Sequence, residues 1–161
     1  MFDKFGEFDS VAELNMCAEG LRTEGDIESL LELATENGID KEDAQDYADG
    51  AMDKLATPLL AAIGKIEVEC KELKPVEIME DWVEYIKMQC AESEMMAMAV
   101  RRKGKSIKGC IAALLMWSFK NQHQVDKDVL KAAGVKAGRV TLGIPGMGTA
   151  KKIITEYYMR K

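Results

Sequence analysis

Five of the eight residues in Arg101-Arg102-Lys103-Gly104-Lys105-Ser106-Ile107-Lys108 are cations. Lys and Arg at that density neutralise phosphate, so the stretch is a candidate nucleic-acid contact. A second candidate for the same chemistry is Gly143-Ile-Pro-Gly-Met-Gly-Thr-Ala-Lys-Lys152. A glycine-rich turn that feeds a helix points backbone N–H groups outward, where the helix dipole favours an anion. Gly146, Gly148, Thr149, Lys151 and Lys152 would hold that anion. Reversing Arg101, Arg102 and Lys105 to Glu is the direct probe of the basic stretch.

The glycine string is similar to the phosphate loop of P-loop ATPases at Gly143, Pro145, Gly146 and Gly148. That loop requires Lys and then Ser or Thr directly after its last glycine, where this chain has Thr149 and Ala150. A structural turn or a modest anion site is expected instead of nucleotide hydrolysis. The opposite charge gathers upstream, at Asp26, Glu28, Glu32, Glu36, Asp40, Glu42, Asp43, Asp46 and Asp49. These carboxylates lack the ligand order of a calcium loop. They read as a solvated acidic face, able to meet a basic protein partner.

No other residue set suggests a reaction. Cys17, Cys70, Cys90 and Cys110 are far apart and sit in helical apolar patterns, where a thiol acts as a small hydrophobe. His123 is the lone histidine and has no evident nucleophile or orienting group. The expectation is a non-enzymatic protein with no cofactor and no metal.

Charge is divided along the chain. Residues 1–100 hold 25 acidic and 8 basic side chains, a net −17, while residues 101–161 carry a net +11. Either the two halves neutralise one another, or each steers a different partner. No apolar run approaches the roughly 20 residues that span a bilayer. The opening MFDKFGEFDS lacks the basic and apolar regions of a signal peptide, so a cytoplasmic protein is expected.

The elements that position these residues are helices. Ser106 can cap a new helix. After it Ile107, Cys110, Ile111, Leu114, Leu115 and Ser118 recur at spacings of three and four. Met116, Trp117 and Phe119 fall off that face, so the second half is apolar nearly all round, the mark of a helix buried on several sides. This predicts a central buried helix over residues 106–120. Upstream, Ser10-Val-Ala-Glu13 is a capping box, Asp26 and Asp40 are further caps, and Asn37-Gly38 is a stop. Phe2, Phe5 and Phe8 should pin the N-terminus, and residues 1–50 read as an acidic helical subdomain.

Thr57-Pro58 starts a helix that runs to about Leu73, and Lys74-Pro75 separates it from one reaching Cys90. A Met- and Ala-rich helix follows over residues 94–100. Residues 121–125 read as polar linker, Asp126 caps a short helix, a brief strand falls near Val140, and residues 151–158 close the chain as a helix. The fold class is therefore all-α, one compact multi-helix domain over residues 1–161.

Lys105-Ser106, Gly109-Cys110 and the closing Ile153, Ile154, Tyr157 and Tyr158 resemble the PcfK-like proteins of plasmids and phages. The resemblance covers about one third of the chain and includes no catalytic motif. It implies an anti-CRISPR protein that binds and inhibits the type II RNA-guided nuclease, with or without guide RNA. The alternatives are a small nucleic-acid-binding module that uses the basic C-terminal part, on DNA or RNA, and a non-enzymatic phage structural or assembly protein. The helical register predicts that Leu114→Ala or Leu115→Ala costs about 2–5 kcal/mol in denaturant unfolding, as for a buried leucine.

Overall fold

A computed structural model describes residues 1–160. They form nine α-helices and a single two-stranded ladder, so the chain is all-α. The helices are α1 Val11–Glu24, α2 Ile27–Glu36, α3 Lys41–Ala48, α4 Pro58–Leu73, α5 Ile78–Glu92, α6 Glu94–Arg101, α7 Ile107–Lys120, α8 Lys127–Ala132 and α9 Met147–Met159. The strands β1 His123–Gln124 and β2 Thr141–Leu142 pair antiparallel. No described helix is long and apolar enough to cross a membrane.

Local chemistry sets most helix starts. The side chains of Ser10, Asp26, Thr57, Ser93, Ser106 and Asp126 each accept from a backbone N–H in the first turn they cap. Asp40 precedes α3 without such a bond. Pro58 occupies the first position of α4, where its missing N–H costs nothing. Gly25 ends α1 in the left-handed conformation, at φ 75°.

Packing divides the molecule into two hydrophobic clusters. The first joins Phe8, Leu14, Ala18, Leu30, Leu33, Tyr47 and Leu55, from α1, α2, α3 and the segments beside them. The second joins Ile66, Trp82, Ile86, Val100, Ile107, Leu114, Ile154 and Tyr158, from α4 to α7 and α9. Helix α4 serves both, with Ala61 in the first cluster and Ala62 in the second. Gly64 of α4 lies against the turn after α2. A Cβ on Gly38 would stand 2.2 Å from the Gly64 carbonyl oxygen, and one on Gly64 would stand 2.2 Å from that of Asn37. Gly38 also has φ 68°, so its lack of a side chain answers both demands. Of the three N-terminal phenylalanines, Phe8 is buried and Phe5 is packed beside it in the first cluster.

Helix α7 corrects the expectation of a helix buried on several sides. It buries one stripe, Ile107, Cys110 and Leu114, against α4 and α9. Its far side faces solvent, with Leu115 53 % and Phe119 74 % exposed and Met116 also exposed. Apolar character on the second half of α7 thus marks a surface, because no described residue covers it. The closing helix also starts earlier than its periodicity suggested. It begins at Met147 with Gly146 as its cap, so Gly148 and Thr149 are helical residues and not a free loop. Leu114→Ala is still expected to cost about 2–5 kcal/mol. Leu115→Ala should now cost less than about 1 kcal/mol, as surface changes usually do. Urea unfolding of both variants checks the pair, and equal losses would contradict the observed register.

Candidate functional site

Arg101 was read as the first residue of a surface patch, and the structure places it in the interior at 0 % exposure. Its Nη2 donates to Asn37 Oδ1 at 2.8 Å, and Asn37 in turn donates to the Leu33 carbonyl at 2.8 Å. The rings of Phe2 and Phe8 lie 5.9 and 5.8 Å from its guanidinium carbon. Its Nε has no hydrogen-bond partner among the described residues. Arg101 therefore cannot touch a ligand, and reversing it to Glu would bury an unmatched anion.

A second buried cation explains how the loop after α6 is held. Lys65, on α4, is 1 % exposed. Its Nζ donates to Glu7 Oε1 at 2.6 Å, to the Arg102 carbonyl at 2.9 Å and to the Lys105 carbonyl at 2.5 Å. Those three bonds use all three ammonium protons. Glu69, one turn along α4, accepts the Ile107 N–H at 2.6 Å, and Glu7 accepts the Gly104 N–H at 3.3 Å. The basic loop is thus held through its backbone. Burial pulls the Lys65 and Arg101 pKa values down, against the pull of their acidic neighbours, and pushes the Glu69 carboxyl up. Sequence reasoning missed this node. The visible signal was a Lys and a Glu four apart, both on the buried stripe that carries Ala62 and Ile66.

Other predicted cations are partly engaged. The Lys105 amine donates to the Tyr157 carbonyl at 2.8 Å and lies 5.1 Å from that ring's centroid. The Lys151 amine lies 5.2 Å from the Tyr85 ring centroid. Lys103, Lys108 and Lys152 are exposed, and Arg102 is half-buried. The basic stretch and the glycine segment do not form one site. Ser106 donates its N–H to the Tyr157 hydroxyl at 3.1 Å, whereas Gly143 lies against Ser118 and Gln122. Helices α7 and α9 are therefore antiparallel, which puts Lys103 and Gly146 at opposite ends, about 20 Å apart along α7.

The residues that carry the PcfK-like resemblance meet at one joint. Gly109 packs against the Tyr157 hydroxyl, and Cys110, Ile154 and Tyr158 share the second cluster. Cys110, Ile153, Ile154, Tyr157 and Tyr158 pack there, and Lys105 and Ser106 are hydrogen-bonded to Tyr157. Burial pushes the Cys110 thiol up to about 12 and the Cys90 thiol up to about 11, away from the thiolate that a nucleophile needs. Among the described residues, no three His, Cys, Asp or Glu side chains converge to hold a metal.

Four of the nine acidic-face residues have internal partners, Asp49 by accepting from the Gln45 side-chain amide at 3.0 Å. Asp26 caps α2 through the Ser29 N–H at 3.0 Å, and hydrogen bonding from the Ser29 side chain and then its backbone holds the carboxyl below the usual range. Glu36 accepts the N–H groups of Lys4 at 2.7 Å and Phe5 at 3.2 Å, while Glu32 pairs with the Lys4 amine. Asp43 is half-buried. Glu28, Asp40, Glu42, Asp46 and Asp49 face solvent from α2, α3 and their ends. Among the described residues every ion pair uses a cation from the first 87 positions, and none links the acidic half to the basic one. The halves do not neutralise one another by pairing.

A further group of exposed cations lies in the basic C-terminal part, outside the residues singled out from the sequence. Lys127, Lys131, Lys136 and Arg139 lie between α7 and α9, all exposed and unpaired among the described residues. They are spread over a stretch with no run of charge, which hid them beside the denser 101–108 segment. Comparison of the chain with protein-family models, curated proteins and solved structures finds no match.

The Lys65 node predicts a marked asymmetry in stability. Lys65→Met strands two carboxylates and two carbonyls, and should cost about 3–5 kcal/mol, as when one partner of a buried pair is lost. Glu7→Gln keeps an acceptor oxygen and should cost no more than about 2 kcal/mol. Urea unfolding of the two variants measures this, and a near-zero loss for Lys65→Met would show the node to be dispensable.

Proposed function

We propose that this protein works by binding and that its partner is a nucleoprotein, the RNA-guided DNA nuclease of a type II CRISPR system, which it inhibits. One observation carries the reading. Exposed charge of opposite sign is held on different segments, carboxylates on α2 and α3 and cations on residues 103–152, so that one molecule offers both signs to a partner. An effector–guide complex offers matching surfaces, a positively charged channel and the nucleic acid within it. Glu28, Asp40, Glu42 and Asp46 would meet the channel's cations, and the exposed cations of residues 102–152 would meet RNA or DNA. The resemblance to PcfK-like proteins supports a partner of this class, met in the host cytoplasm.

A second reading, a nucleic-acid-binding module without an inhibitory role, is favoured by the many solvent-facing cations beyond Arg101. The acidic surface separates the two readings, since free nucleic acid gives it nothing to bind. The test is co-purification with effector–guide complexes, paired with a DNA cleavage assay. Co-elution and reduced cleavage are expected. The double variant E42K/D46K should associate more slowly, because complementary charge acts mainly on the on-rate. Undiminished cleavage and no co-elution across several type II effectors would sink the inhibitor reading.

A further inference from the structure

Between α7 and α9 the chain leaves the packed body as an arm, residues 121–143. Its root is closed by the ladder, which pairs His123 with Leu142 and Gln124 with Thr141. Gln122 fastens the root by donating to the Ser118 carbonyl at 2.7 Å and accepting the Thr141 hydroxyl at 2.9 Å. The Val125 N–H donates to the Val140 carbonyl at 2.9 Å. Beyond that point the arm contributes nothing to either hydrophobic cluster. None of the six residues of α8 is buried. Gly134, at φ 69°, turns the chain back. Lys127 and Lys131 lie one helical turn apart, about 6 Å along α8, and Lys136 and Arg139 follow on the return. The arm holds four cations and two acids, and Asp126 is occupied in capping α8.

At the root of this arm lies an apolar groove of about 340 Å³, lined in part by Ile78, Trp82, Ile111, Leu115, Phe119 and Ile144. Gln122 and Gly143, the two ends of the arm, also line it. Phe119 is the most exposed large apolar side chain here, at 74 %, and exposed Lys120 follows it. Exposed aromatic surface beside a cationic track is the makeup of single-strand nucleic-acid sites. Phosphates follow the charge and an unstacked base lies on the ring. A base inside a duplex is already stacked on its neighbours and cannot offer its face to Phe119.

We infer that the arm and Phe119 together form a binding site for single-stranded nucleic acid. Phe119 takes a base, and Lys120, Lys127, Lys131, Lys136 and Arg139 take the backbone. The inference rests on the nucleoprotein reading above and names the surface that reaches the nucleic acid. Because these residues are exposed and none of them belongs to either hydrophobic cluster, their substitution leaves the fold intact.

The test is fluorescence anisotropy with a labelled single strand of about a dozen nucleotides and with the matching duplex. Single strand should bind more tightly than duplex. Phe119→Ala should weaken single-strand binding roughly 5- to 150-fold, the worth of one stacked base, and Phe119→Trp should restore it. The variant K127Q/K131Q should flatten the slope of log affinity against log salt by about 1.4, at about 0.7 per cation for single strands. Equal binding of duplex, an unchanged slope or an indifferent Phe119→Ala would each overturn the inference. So would concentration-dependent self-association lost in Phe119→Ala, which would assign the groove to a second copy of the chain. Co-elution with the effector without oligonucleotide binding would remove this site and leave the inhibitor reading standing. Oligonucleotide binding of the expected kind without co-elution would do the reverse.

Discussion

One buried ammonium group organises the fold. Lys65 has to find three acceptors inside the protein, because a desolvated lysine without them would be neutral or would pull the structure open. The three come from distant parts of the chain: the Glu7 carboxylate and the carbonyls of Arg102 and Lys105. The N-terminal segment, α4 and the loop before α7 are therefore closed on one point. Glu69 adds the first free N–H of α7 to the same node. With Arg101 alongside, two buried cations, the buried Glu69 and the half-buried Glu7 share one region of the interior. The favourable direction of each interaction depends on the others being in place.

That arrangement explains why the loop after α6 carries so many cations and so little of a ligand site. Its carbonyls are consumed by Lys65, Arg101 is sequestered, and the Lys105 amine is spent on Tyr157. Lys103 and Lys108 of the basic run stay exposed, and four further exposed cations lie on an arm that joins neither cluster. Part of the dense basic run, Arg101, Lys105 and the loop carbonyls, is used inside the fold, while the dispersed cations of residues 127–139 have no internal partner among the described residues.

Chemistry confined to a few neighbouring residues was legible in the sequence. Ser10, Asp26, Thr57, Ser106 and Asp126 announce helix starts because an N-cap is complete within four residues. The 3,4 spacing gave Ile107, Cys110 and Leu114 the buried stripe they occupy. Lys65, Glu69 and Arg101 were illegible as a node because each is defined by partners 30 to 100 positions away in the chain, and a charged side chain is ordinarily solvated. Leu115 and Phe119 misled for the converse reason. Periodicity reports that a face is apolar, and says nothing of whether the protein has another element to lay over it. The two phosphate-binding candidates looked like a pair only while the direction of α9 against α7 was unknown.

The contact between Gly38 and Gly64 restricts how the two clusters can ever change. Backbone touches backbone there, with no side chain between that could adopt another rotamer. Any residue larger than glycine at either place meets main chain, so the two positions cannot drift singly or trade bulk with each other. The acidic cluster is in effect welded to α4 at that turn. Sequence variation in such a molecule is steered to the outer surfaces and to the arm, where a new partner can be met without disturbing the joint.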